Sequence, residues 1–205
     1  MDVGIVRTGT ANVGSVANIL RRVGAHPREI VREDSLSDYQ ILILPGVGSF
    51  DSGMSALRAA GLDQALRTYV QTGGHVLGIC LGMQLMMESS EEGRESGLGL
   101  FEGTCVNMRK SRPDVPIPHV GWGKVHRRAA ASTDEDPLER FYFTHSYAVQ
   151  CRDPSDIWMT SDYSGDFVAA IQRENVTGVQ FHPEKSNRHG MAFLAAYLES
   201  RCVHE

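Results

Sequence analysis

The segment Ile41-Leu42-Ile43-Leu44, closed by Pro45-Gly46, is an unbroken run of branched apolar residues without polar alternation. Such a run reads as a fully buried strand. Residues 3–6 read as an earlier strand, and residues 75–79 as a later one. Between and after them come helical patterns. Val13, Val16, Ala17, Leu20 and Val23 recur at helical spacing before Gly24, and Leu62, Ala65, Leu66, Tyr69 and Val70 line one face before Gly73-Gly74. A third helix is expected over 81–88. Strands separated by helices of this length pair in parallel through crossovers, so the fold class is α/β.

The second half changes character. Residues 98–149 predict short strands rich in Gly and Pro, one of them at Arg140-Phe141-Tyr142-Phe143. Residues 167–172 and 178–181 predict a late hairpin with 173–177 as its turn. A closing helix is expected over about 189–199, with Met191, Leu194, Ala195 and Leu198 as its apolar stripe. The expected sheet is mostly parallel, with antiparallel additions. A length of 205 residues fits one domain spanning 1–205.

Composition narrows the function. A formal charge of -5, with Arg21-Arg22 and Arg127-Arg128 as isolated pairs, argues against a nucleic-acid binder. Met1-Asp2 leads straight into an apolar strand, with neither a signal-peptide region nor a run of ~20 apolar residues, so a cytoplasmic chain without membrane association is expected. Cys80, Cys105, Cys151 and Cys202 form no Cys-x-x-Cys pair, and no two of His26, His75, His119, His126, His189 and His204 show metal-ligand spacing. No metal and no cofactor are expected.

Three loops carry candidate chemistry. Gly78-Ile79-Cys80-Leu81-Gly82 lies where a strand turns into a helix, with small residues two positions either side of the cysteine, as a sharp nucleophile elbow requires. A helix amino end there lowers a thiol pKa and offers N–H groups to an oxyanion. A buried structural cysteine between packing glycines is the alternative. Gly178-Val179-Gln180-Phe181-His182-Pro183-Glu184 is a strand ending in a polar elbow, where His182 could serve as base and Glu184 as its orienter. Gly46-Val47-Gly48 follows the buried strand and can approach a small substrate closely. A dinucleotide fingerprint fails there because Asp51 stands where Gly or Ala is needed.

In this order the three segments resemble the class I (triad) glutamine amidotransferases. More narrowly, the chain resembles the glutaminase subunits of imidazole glycerol phosphate synthases. The narrowing segments are Thr8-Gly9-Thr10-Ala11-Asn12-Val13-Gly14-Ser15-Val16, Leu44-Pro45-Gly46-Val47-Gly48, Cys80-Leu81-Gly82-Met83-Gln84-Leu85, Gly97-Leu98-Gly99-Leu100, Pro118-His119-Val120-Gly121-Trp122, Tyr142-Phe143-Thr144-His145-Ser146-Tyr147, and Gly178 through Ser186.

The resemblance implies a three-layer, flavodoxin-like domain. It implies Cys80 as nucleophile, His182 as base and Glu184 as its orienter. Gly46, Val47, Gly48, Leu81, Gln84, Glu92, His145, Ser146 and Tyr147 would bind glutamine or its oxyanion. Asn12, Trp122 and Lys185 would face a partner, a (β/α)8 cyclase that receives the ammonia in a heterodimer. The chain lacks a P-loop and is filled by one glutaminase domain, so acceptor chemistry is expected on another polypeptide. Arg7, Gly123 and Asn187 depart from the family pattern, which favours an acidic residue, Asn and Gly there. A glutaminase of another synthase, a free-standing γ-glutamyl hydrolase and a non-catalytic subunit are the rival readings.

Overall fold

In the computed structural model the Ile41–Gly46 run is an interior strand, and all six of its residues are buried. The structure describes residues 1–7, 9, 12–128 and 139–201, the side chains of 33–35 and 139 excepted. In chain order its elements begin with β1 (Asp2–Val6), α1 (Val13–Arg22), β2 (His26–Ile30), β3 (Ile41–Gly46), α2 (Phe50–Ala59) and α3 (Leu62–Gln71). They continue with β4 (His75–Cys80), α4 (Leu81–Leu85), β5 (Ser89–Ser90), β6 (Gly103–Asn107), β7 (His119–Arg127) and β8 (Glu139–His145). The chain closes with β9 (Tyr147–Cys151), β10 (Ile157–Asp162), β11 (Asp166–Arg173), β12 (Val176–Val179) and α5 (Asn187–Arg201).

The main sheet has the order β2-β1-β3-β4-β12-β11-β10-β7-β8. Strands β2, β1, β3, β4 and β12 are parallel; from β12 outward every pairing is antiparallel. A smaller sheet, β5-β6-β9, lies beside it. Alternating side chains of the interior strands feed two cores. Ile41, Ile43, Leu77 and Ile79 meet Val16 and Leu20 of α1 and Leu194 and Leu198 of α5. Leu42, Leu44 and Val76 meet Met54 and Leu57 of α2 and Leu62 and Leu66 of α3. Covering both faces is what removes polar alternation from β3. The result is the expected α/β three-layer fold.

The structure adds elements that the apolar pattern does not reveal, β2 and α2 among them. β2 is an edge strand whose only fully buried residue is Ile30, and its Pro27 is tolerable at such an edge. α2 carries Ser52 and Gly53 in its first half, yet Ser49 caps it and Phe50, Met54 and Leu57 fall on one buried face.

Two boundaries and one buried face depart from expectation. α4 stops at Leu85 rather than 88, because the N–H groups of Leu98, Leu100 and Phe101 take the carbonyls of Leu85 and Met86. The late hairpin turns within Glu174-Asn175, where Glu174 adopts φ 48°, so Val176 and Thr177 join β12. α5 buries Phe193, Leu194, Tyr197 and Leu198. Its expected stripe is rotated by one residue, and Met191 and Ala195 are only half-buried.

Candidate active site

The site forms at the carboxyl edge of the parallel strands, where α/β folds bind ligands. Cys80 ends β4 and enters α4 with φ 54° and ψ -108°. A positive φ on a residue with a Cβ is strained and marks a position that the surrounding fold over-determines. Two glycines make that possible. A Cβ on Gly78 would lie 2.8 Å from the Gly82 carbonyl group and the Met83 nitrogen, and one on Gly82 would fall inside the Leu44 carbonyl oxygen. The flanking glycines therefore let strand, turn and helix pack backbone to backbone. Gly46, the register partner of Cys80, lies beneath the turn, with its own Cβ position 2.8 Å from Leu81.

His182 follows β12 and Glu184 lies in the Pro183–Lys185 turn. His182 Nδ1 and Glu184 Oε1 are 2.7 Å apart, with both side chains about nine-tenths buried or more. A carboxylate accepts, so Nδ1 carries the proton and Nε2 is left for Cys80 and substrate. That Nε2 is buried without a hydrogen bond of normal geometry. Burial works against the imidazolium, but the neighbouring Cys80 and then Glu184 outweigh it and hold the His182 pKa well above the usual range. Buried Ser186 pins this loop, its Oγ donating to the His182 carbonyl at 2.6 Å and accepting from the Tyr142 N–H at 2.9 Å.

A cavity of about 310 Å³ opens over the sulfur. Val47, Gly48, Leu81, Gln84 and Glu92 line it together with His145, Ser146, Tyr147 and Lys185. Gly46 is the one expected substrate-site residue outside the lining, since it supports the elbow from below. Glu92 Oε2 accepts from the Phe50 N–H at 2.8 Å, which ties the cavity to the start of α2.

Behind the cavity lies a buried polar chain. Gln84 Nε2 donates to the Tyr147 carbonyl at 3.1 Å and to Gln180 Oε1 at 3.0 Å. His145 Nδ1 donates to that same carbonyl at 2.9 Å, so its Nε2 accepts from His119 Nδ1 at 3.2 Å. Burial pushes His145 down to about 3. It pushes His119 down to about 4, with the Arg112 charge adding to it. Both rings are neutral at pH 7. His119, in the Pro118–Trp122 segment, is set opposite His145 by the β7–β8 register and stacks on Tyr163 and Phe143.

The remaining described cysteines are poor nucleophiles: burial raises the Cys105 thiol above any physiological pH and pushes Cys151 up to about 12. Cys202 lies outside the described residues.

Residues 11–199 match the family Glutamine amidotransferase class-I. The imidazole glycerol phosphate synthase subunit HisH 2 of Methanococcus maripaludis is 41% identical over 96% of this chain and 98% of its own. The HisH subunit of Leptospira borgpetersenii is 39% identical, over 94% of this chain and 97% of its own. This chain belongs to the HisH family of class-I glutamine amidotransferases. A solved glutamine amidotransferase superposes with a TM-score of 0.75 over 97% of this chain and 98% of its own, at 17% identity. The structure of PurLQS from Thermotoga maritima gives 0.73 over 96% and 98%, at 18% identity. Those two likenesses concern the fold.

The three positions that the HisH resemblance implies for a partner surface are spread over neighbouring elements. Trp122 is 42% exposed on β7 and meets the Tyr142 ring edge-on, while Lys185 Nζ sits 5.8 Å over the same ring. Asn12 caps α1 through the Ser15 N–H at 3.2 Å, and α1 packs against the Pro183–Lys185 turn.

The departures from the HisH pattern have local explanations. Arg7 pairs with Glu29 at 3.3 Å on the surface. Asn187 has φ 50°, a conformation that Asn tolerates nearly as Gly does. At Gly123 a Cβ would lie 2.9 Å from the Phe143 ring, so the space of a larger residue is already filled.

Proposed function

We propose that this chain is the glutaminase subunit of an imidazole glycerol phosphate synthase. The observation that carries the reading is one cavity that holds both Cys80 on its strained elbow and the His182 of a buried His182–Glu184 pair. Glutamine enters this cavity. Glu92 and the 145–147 segment hold its amino-acid end, and the Gln84 carbonyl oxygen, left over once its amide N–H groups are bonded, accepts from it.

The Cys80 thiolate attacks the side-chain carboxamide carbon. The Leu81 N–H, at the first position of α4, and the 45–48 loop stabilise the tetrahedral oxyanion. As the carbon–nitrogen bond breaks, His182 gives its Nε2 proton to the leaving nitrogen. Ammonia and a γ-glutamyl thioester result. His182 then takes a proton from water, the hydroxide attacks the thioester, and glutamate leaves while the thiol is restored. One glutamine and one water give one glutamate and one ammonia. Glu184 keeps the proton on Nδ1 and stabilises the cation throughout.

The ammonia passes to a cyclase subunit of (β/α)8 architecture in a cytoplasmic heterodimer, with Asn12, Trp122 and Lys185 on the shared face. Among the described residues no helix is long and apolar enough to cross a membrane.

The test is glutamate release from glutamine, measured for the chain alone and with the cyclase of the same genome plus its ribotide ligand. Release that rises by orders of magnitude in the complex and disappears in Cys80→Ala is the expected result. Full activity alone, or indifference to the cyclase, removes the partner assignment. Undiminished release by Cys80→Ala removes the nucleophile.

A further inference from the structure

Gln180 is fully buried, just beyond β12, and nothing in the mechanism above uses it. Its N–H is anchored to the Ala169 carbonyl at 2.8 Å, and its side-chain Nε2 lies 3.6 Å from Cys80 Sγ. Amide oxygen and nitrogen are ordinarily interchangeable in such an assignment. Here the orientation is forced. The Tyr147 carbonyl can only accept, so the NH2 of Gln84 must face it. The second proton of that NH2 needs an acceptor, and Gln180 Oε1 supplies it at 3.0 Å. The NH2 of Gln180 is then obliged to face the sulfur. On another side the sulfur lies 3.9 Å from the Thr144 carbonyl oxygen. That oxygen can hold the S–H of a thiol but repels a thiolate.

We propose that Gln180 is a positioning residue that donates an N–H···S hydrogen bond to the Cys80 thiolate, setting it toward the cavity and favouring the charged form. The inference rests on Cys80 being the nucleophile. The logic is one of competing neighbours. The Thr144 carbonyl favours S–H, whereas Gln180 Nε2 and the His182 cation favour S⁻. A donor to an ionised acceptor makes one of the stronger protein hydrogen bonds, more so where water is excluded. The parallel register of β12 on β4, Gly178 opposite Gly78 and Val179 opposite Ile79, delivers the next residue of each strand to this contact.

The test uses Gln180→Glu and Gln180→Met in the full chain with its cyclase. Alkylation of Cys80 by iodoacetamide is followed by mass spectrometry across pH, together with glutaminase kcat and thermal unfolding. Gln180→Glu keeps an acceptor for Gln84, loses the donor and adds a like charge beside the thiolate, whereas Gln180→Met loses the donor without adding a charge. Gln180→Glu should slow Cys80 alkylation at pH 7 by about tenfold or more, move the alkylation profile to higher pH and lower kcat with it. Gln180→Met should shift the profile the same way, to a smaller extent. If Gln180 serves only to bind Gln84, Gln180→Met, which removes the donor without adding a charge, will alkylate with the native profile, and the proposal falls. If alkylation at Cys80 leaves native glutaminase activity intact, the nucleophile assignment falls instead, whatever Gln180 does.

Discussion

Replacing Gly82 with alanine inserts a methyl group where the backbone of β3 already runs. The new carbon would overlap the Leu44 carbonyl oxygen and lie 2.8 Å from the Leu44 carbonyl carbon. Non-bonded carbons settle at roughly 3.5–4.0 Å, so α4 and β3 must part by on the order of 1 Å. Neither side is a flexible side chain, and Leu44 is fully buried between strands β1 and β4. Overpacking of this kind costs about 1–3 kcal/mol, more than the ~0.4–1 kcal/mol that alanine gains over glycine in the unfolded chain. Activity should suffer more, because Cys80 and the Leu81 N–H ride on the displaced turn. A 1 Å error in a reacting geometry costs on the order of 10²-fold in rate. Gly14→Ala is the matched contrast. It lies exposed in α1 with only Asn12 Oδ1 near its Cβ position, at 3.9 Å, and should gain roughly 0.5 kcal/mol. Urea unfolding and glutamate release with the cyclase read both effects. A Gly82→Ala protein with an unchanged urea midpoint and activity within about threefold of native would refute the steric account of the elbow.

Further consequences are open to measurement. Glu184→Gln keeps the shape but removes the charge that orients His182, and should lower kcat by on the order of 10²–10⁴-fold with little change in KM; a loss below tenfold would count against the triad. His119 and His145 titrate near 4 and 3 in the fold but near 6.5 when unfolded. The unfolded chain therefore binds more protons below pH 6.5. Stability from these rings is fully present above that value and is lost as pH falls toward 4 and then 3. His119→Phe should flatten the fall of the urea midpoint between pH 6.5 and 4.5 by about one proton's worth, roughly 1.4 kcal/mol per pH unit at most; an unchanged slope contradicts the neutral pair. Ser186→Ala orphans the Tyr142 N–H and should cost about 1–3 kcal/mol in urea unfolding, and a cost under 0.5 kcal/mol, by the same order-of-magnitude scale, would show that water replaces the hydroxyl.

Much of this protein is written locally. The unalternated Ile41-Leu42-Ile43-Leu44 run states that its strand is covered on both faces, because any solvent-facing side would demand polar residues. Gly78 and Gly82 around Cys80 announce a backbone crossing that admits no Cβ, and His182-Pro183-Glu184 places a base and its carboxylate within one short turn. Those signals depend only on near neighbours in the chain. What they could not contain is anything that depends on how distant strands align. β2 is nearly polar and becomes a strand only because β1 offers a free edge. The α5 stripe shifts by one residue because Phe193 packs edge-on into the aromatic cluster around Phe141 and Phe181. Gln180 meets Cys80, and His119 meets His145, only through strand register across separations of 100 and 26 residues. Hydrogen bonds of that kind obey partner geometry, which composition and periodicity do not encode, so the tertiary structure alone decides which buried polar groups complete the site.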